Sequence, residues 1–261
     1  MGPLGRGKIW AGRNLVMILA AGLVLLGGCG VSRQAREQAA VHSRMGFGHL
    51  RQGDSTAALR DFLEAQRLNP KDPQIHYGLG WAYSQKGMFA EAMNHYREAL
   101  RLDPQFTDAH NTLGLAYLEM SRFEEAIREF ETALKDLLYP TPYSLLNNLG
   151  WAHYRNGDRE KAIECYQKAV AQKPDFGMAF YNMGLAYRDL KQTQAAIAVL
   201  RTATRLEPGL QEAHFQLGLL LLQAGERAEA KKAFQEVIRL QPQSERARQA
   251  QRHLDQMAAP P

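Results

Sequence analysis

Four histidines at regular intervals are the first residues in this chain that invite a chemical reading. His42, His76 and His110 follow one another at intervals of 34 residues, and His214 occupies the same place in a later unit. Sets of imidazoles bind zinc, but a shared ion needs each nitrogen within about 2.0–2.1 Å. Helices one unit apart pack with axes about 8–10 Å apart. A ladder with one histidine per unit therefore predicts inter-helix packing and no metal. The two cysteines, Cys29 and Cys165, cannot make a disulfide framework. Cys165 lies within a helical pattern, away from any cationic helix N-terminus that would activate a thiol. No nucleophile elbow, zincin helix or phosphate-binding glycine loop occurs. Charged residues such as Glu124, Glu125 and Arg128 are scattered at solvent spacing. The expectation is a non-enzyme with no catalytic residues, no cofactor and no small-molecule substrate.

The elements that carry these residues repeat. Units of 34 residues begin at Ala39, Pro73, Thr107, Tyr143, Gly177 and Gln211, with two extra residues in the third. Within each unit, position 8 is Gly46, Gly80, Gly114, Gly150, Gly184 and Gly218. Position 20 is Ala58, Ala92, Ala126, Ala162, Ala196 and Ala230. Position 24 is bulky: Phe62, Tyr96, Phe130, Tyr166, Leu200 and Phe234. Small residues let two helices cross closely, and the bulky one fills the space beside them. Pro70, Pro104, Pro174, Pro208 and Pro242 end the second helix. Gly53, Gly87, Gly157 and Gly225 suit a left-handed turn after the first.

This pattern resembles the tetratricopeptide repeat, a 34-residue helix–turn–helix. The resemblance implies an all-α, right-handed superhelical solenoid of six tetratricopeptide repeats over residues 39–244 (39–72, 73–106, 107–142, 143–176, 177–210 and 211–244). A C-terminal capping helix is expected at 245–257, where Ala247, Ala250, Leu254 and Met257 share one face, followed by a frayed tail at 258–261.

In that family the first helix of each repeat, helix A, lines an inner groove. Carried over by position, the groove would hold Tyr77, Trp81, Asn111, Leu115, Asn147, Asn148, Trp151, Tyr154, Tyr181, Asn182, Leu185 and Phe215. Aromatic side chains would supply buried area to a protein partner, and the amides would pair with its backbone. Packing between repeats is the other role open to each of them. The lysines with which one subset of the family clamps a C-terminal carboxylate are missing, so the resemblance does not extend to chaperone-tail binding.

The N-terminus is basic through Arg6, Lys8 and Arg13 and continues into an apolar run, Leu15–Leu26. Twelve residues are too few to span a bilayer, which needs about 20, and the order of features is that of an exported signal peptide. The run ends Leu26-Gly27-Gly28-Cys29, which resembles a bacterial lipobox. The resemblance implies a signal peptide over 1–28, lipid attachment at Cys29 and a tether over 29–38. Gly30 stands where an Asp would retain an enteric-type lipoprotein in the inner membrane, which implies a membrane-anchored protein on the periplasmic face of the outer membrane. Without residues 1–28, 29 basic residues face 27 acidic ones, which argues against nucleic acid.

One junction breaks the repeat. Between the third and fourth units the chain reads Leu138-Tyr139-Pro140-Thr141-Pro142. This stretch, its place, the lipobox and six repeats together resemble the type IV pilus pilotin and biogenesis lipoproteins of the PilF/PilW type. That resemblance implies an assembly factor for an outer-membrane secretin subunit. The second reading is a general periplasmic tetratricopeptide scaffold that recruits cell-wall enzymes.

Overall fold

The computed structural model describes residues 31–258. Among them are thirteen helices and no strand. They fall into two compact units, one ending at Lys71 and one beginning at Asp72. The first holds α1 (Arg33–Arg51) and α2 (Ser55–Leu68), packed as an antiparallel hairpin. The second holds five more hairpins and a last helix. These are α3 (Pro73–Gln85) with α4 (Phe89–Leu102), α5 (Thr107–Glu119) with α6 (Phe123–Ala133), α7 (Pro142–Asn156) with α8 (Arg159–Gln172), α9 (Gly177–Asp189) with α10 (Thr193–Leu206), and α11 (Gln211–Gln223) with α12 (Arg227–Leu240); α13 (Glu245–Ala258) closes it.

Local chemistry sets the ends of these helices. Asp54 and Asp72 accept backbone N–H groups at the starts of α2 and α3, from Ala57 at 2.9 Å and Gln74 at 3.0 Å. Pro73 and Pro142 occupy first-turn positions whose N–H would be unpaired anyway. Every hairpin turns through a left-handed residue at position 15. Four are the expected glycines, Gly53, Gly87, Gly157 and Gly225; the other two are Ser121 (φ 57°) and Lys191 (φ 58°).

Position 8 fits under position 24 in all six hairpins. A Cβ placed on Gly80 would come within 2.5 Å of the Tyr96 ring, and one on Gly150 within 2.6 Å of Tyr166. Side chains 96, 166, 62, 130 and 234 are fully buried, and the position-20 alanines are at most 2% exposed. Burial of each ring contributes about 1.5–3 kcal/mol, so the glycines set the helix spacing that the rings fill.

In the second unit each helix packs on the next, and α5–α7, α7–α9 and α11–α13 also touch. The A helices thus form one layer. At its end Ala247 and Ala250 of α13 are buried, and His253 stacks on Phe234 at 5.1 Å.

Two departures have physical causes. Residues 33–38 are helical and do not belong to the tether, because the Ser32 hydroxyl accepts the Ala35 N–H at 3.1 Å and starts α1 there. The second helix of repeat three stops at Ala133, position 27 of its unit, whereas the other five run to position 30. Beyond it Asp136 accepts the Thr107 hydroxyl at 2.7 Å and the Leu138 N–H at 3.0 Å, which bonds the chain into a loop. The fourth repeat's first helix begins at Pro142. Residues 1–28 and the lipid-attachment position Cys29 lie outside the described residues.

Candidate functional site

Three of the position-4 histidines bond within their own hairpin, and the fourth bonds to the linker before it. His42 Nδ1 lies 3.4 Å from Asp61, His76 Nδ1 lies 3.3 Å from His95 Nδ1, and His110 Nδ1 lies 2.6 Å from Glu129. His214 Nε2 reaches the Pro208 carbonyl at 3.0 Å. Among the described residues no three His, Cys, Asp or Glu side chains are placed to hold a metal ion. Cys165 is buried on α8, and burial pushes its thiol up to about 11.

The groove residues divide into three groups. Asn182 (7% exposed), Leu185 (7%) and Phe215 (4%) are interior and offer no open surface, which corrects their assignment to a binding groove. The A helices approach closely enough there for these positions to be covered by the neighbouring helix. Phe215 meets Phe234 edge-on at 6.0 Å, and the Arg246 guanidinium covers its ring at 4.8 Å.

The amides form the second group. Asn148 donates to Asn111 at 3.1 Å, and Asn182 donates to Asn147 at 2.9 Å. These amides tie α5 to α7 and α7 to α9, a use that competes with the expected pairing to a partner's backbone. The ladder continues as Arg188 donates to Gln216 at 2.7 Å and Arg246 donates to Glu212 at 2.6 Å.

The third group is half-buried or exposed. Tyr77 packs among Phe106, Tyr96 and Trp81 at 5.1, 5.9 and 6.4 Å. Leu115 is 40% exposed. Tyr181 is half-buried, and burial pushes its hydroxyl up to about 12. Trp151 and Tyr154 stack at 5.1 Å, 16° from parallel. Around this pair gather charged residues that are not among the twelve carried over from the family. Arg155 lies over Phe123 at 5.1 Å and over Trp151 at 5.9 Å; Arg159 lies over Tyr154 at 4.4 Å. Asp189 accepts Tyr154 Oη at 2.7 Å and Arg188 at 2.8 Å, and pairs with Arg159 at 3.4 Å. Burial works to raise the Asp189 pKa, but Tyr154 and the two guanidiniums outweigh it and hold the carboxyl below its ordinary range. Two guanidiniums thus meet one carboxylate beside an indole–phenol platform that a third, Arg155, overlies. Such a face can stack on an apolar side chain and attract an acidic one.

The loop after α6 is the other candidate. Tyr139 is half-buried and donates to Asp108 at 2.9 Å; burial and that bond push its hydroxyl up to about 12. Thr141 and Pro142 are half-buried, and Pro140 is exposed. Leu138 and its neighbour Leu137 are 92% and 91% exposed, the most open large apolar side chains among the described residues. Leu137 was missed because it lies outside the Leu-Tyr-Pro-Thr-Pro string. The two extra residues of the third repeat were the available signal.

The fold and this layer define a tetratricopeptide-repeat protein, a class of protein-interaction scaffold. The chain belongs to the tetratricopeptide-repeat family. A family model described as "Tetratricopeptide repeat" matches residues 111–175, 147–211, 181–245 and 215–254, and one described as "TPR repeat" matches 49–87 and 82–121. Two solved structures are similar over almost the whole of their length. One, described as the functional characterization of Pseudomonas aeruginosa pilF, has a TM-score of 0.75 at 20% identity and covers 85% of this chain and 100% of its own. The other, PilW, a "widely conserved type IV pilus biogenesis factor", has a TM-score of 0.75 at 20% identity and covers 82% and 98%. Both likenesses are likenesses of fold. In sequence, the small glutamine-rich tetratricopeptide repeat-containing protein 2 of Mycosarcoma maydis is 31% identical over 88 residues, 34% of this chain and 25% of that protein. The BBSome complex member BBS4 of Bos taurus is 28% identical over 96 residues, 37% and 18%. The chain spans a quarter or less of these curated relatives.

Proposed function

We propose that this protein is a lipid-anchored assembly factor of the pilotin type, which binds a subunit of the type IV pilus secretin and assists its oligomerisation at the periplasmic face of the outer membrane. The observation that carries this reading is the likeness of fold along almost the full length of PilF and PilW. The Leu26-Gly27-Gly28-Cys29 run and the 138–142 loop at the same junction support it. The half-buried Trp151–Tyr154 platform with Arg155 is the face best suited to grip a polypeptide, because buried aromatic and Arg contacts dominate binding energies.

The test is a deletion strain complemented with the wild-type gene or with the double variant Trp151→Ala, Arg155→Ala. Secretin multimers in the membrane fraction should vanish on deletion, return with wild type, and stay at least about tenfold reduced with the variant, since anchor residues contribute about 2 kcal/mol or more. The variant must remain helical. Multimers that persist in the deletion strain, with altered cell-wall cleavage, would replace the pilotin reading by a general scaffold.

A further inference from the structure

The first repeat presents a face that the second unit buries every time. In that unit, positions 3 and 7 of a helix A rest against the helix B before them. Ala109 clusters with Ala99, Leu113 with Met93, and Ala179 with Ala169, all nearly inaccessible to solvent. The same positions of α1 are Val41 and Met45, which are 46% and 48% exposed. What precedes α1 in sequence is no helix-B pattern but the Leu15–Leu26 run and Cys29.

The arginines around these two residues narrow the occupant. α1 carries Arg33, Arg36, Arg44 and Arg51 against a single acid, Glu37, which accepts Arg33 at 2.8 Å. At helical spacing Arg33, Arg44 and Arg51 share an arc of about 120° with Val41 and Met45. Ala39, Ser43, Gly46 and Leu50 form the buried side. A helix of low mean hydropathy with a basic face beside exposed apolar residues suits a membrane interface. A second copy docked through the same face would bring these arginines against their own equivalents.

We propose that the outer face of α1 lies on an anionic phospholipid surface, with Val41 and Met45 in the headgroup–acyl boundary and Arg44 and Arg51 against phosphates. This rests on the lipid-anchoring reading of Cys29. Only Gly30, Val31 and Ser32 separate Cys29 from the first helical residue, Arg33, a reach of about 14 Å at full extension. An α-helix with its side chains is itself about 10–12 Å thick, so a lipid on Cys29 holds the N-terminal end of α1 within about one helix diameter of the bilayer.

The experiment uses the full lipoprotein with Met45→Cys labelled by an environment-sensitive NBD dye. Acylated Cys29 and buried Cys165 leave that thiol as the accessible one. Gln167→Cys, on an exposed position of α8, is the reference. Proteins are reconstituted on phosphatidylethanolamine–phosphatidylglycerol vesicles, and flotation, emission and quenching by headgroup-level spin-labelled lipid are read together. Dye at 45 should shift to the blue and be quenched, dye at 167 should not, and Arg44→Glu with Arg51→Glu should weaken the insertion of the 45 dye about fivefold per arginine. Protein that floats while the 45 dye stays in water overturns the proposal and leaves the anchor standing. Protein that does not float overturns both. A blue-shifted 45 dye without vesicles overturns it in favour of a second copy, if concentration-dependent, or of a retained Leu15–Leu26 segment, if not.

Discussion

Gly114→Ala adds one methyl group to the array, and its effect can be worked out from two distances. A Cβ at Gly114 would lie 2.7 Å from Phe130 Cε1 and 2.9 Å from Cζ. Carbon atoms in contact prefer about 3.5–4.0 Å, so the ring must retreat by close to 1 Å or the helices must part. Phe130 is fully buried and shares its cluster with Leu113, Ala126 and Leu149, so its ring has little room to move. Overpacking of this kind costs about 1–3 kcal/mol, against a gain of about 0.5–1 kcal/mol from replacing a helical Gly by Ala. The net expectation is a loss of about 1–2 kcal/mol, or about 3–6 °C in thermal midpoint for a chain of this size. Gly48→Ala is the internal control. Gly48 also lies within a helix, but a Cβ there meets nothing within 4 Å, so it keeps the gain without the clash and should rise by about 1–3 °C. Far-UV circular dichroism melts of both variants read the difference. If Gly114→Ala melts at or above wild type, the close fit of positions 8 and 24 is not what spaces the helices.

Two more expectations follow from named contacts. Burial holds the His95 pKa below its ordinary value, with His76 adding to the effect, whereas at His110 the bonds to Glu129 and Pro104 outweigh burial and raise it. A depressed His favours folding above about pH 6.5 and loses that contribution as pH falls, while a raised His does the reverse. Urea midpoints between pH 7.5 and 5.5 should therefore fall less steeply in His95→Phe than in wild type and more steeply in His110→Gln; identical slopes in all three would remove both assignments. Leu137→Ser with Leu138→Ser should leave the melting midpoint within about 0.5 kcal/mol of wild type, because both side chains are more than nine-tenths exposed. If the loop takes part in recognition, the same variant loses secretin capture from detergent-solubilised membranes, and undiminished capture would confine recognition to the A-helix layer.

The fold was legible in the sequence where sterics alone decide. Gly at position 8, Ala at 20 and a ring or Leu at 24 recur because no other combination fits that helix spacing, and the three positions locate the hairpins. Features decided by single hydrogen bonds were not legible. Ser121 and Lys191 adopt the left-handed turn without being glycine, so composition does not mark it. Ser32 looks like a tether residue until its hydroxyl is seen to cap α1. The early end of α6 depends on Asp136 meeting Thr107, 29 residues away, which no local pattern announces.

The site was half legible for a related reason. Position numbers say which side of a helix a residue occupies, but not whether the neighbouring helix reaches it first. Asn111, Asn147, Asn148 and Asn182 lie on the expected helices, and in the free chain their amides bond to one another. Two adjacent A helices carrying amides at positions 5 and 6 satisfy one another, since a half-buried amide left without a bond would cost about 1–3 kcal/mol. That mutual bonding leaves the accessible aromatic and charged groups at the edge of the layer and not on its floor. There Trp151, Tyr154 and Arg155 stay accessible, and Arg159 and Arg188 share Asp189 between them. Two guanidiniums on one carboxylate, with Arg155 held over rings and not over an acid, leave the edge with an excess of positive charge. The ladder keeps the A helices in register, and that register places the aromatic platform of α7 beside the arginine of α9. The polar contacts that looked like binding groups are the ones that position the platform proposed to bind.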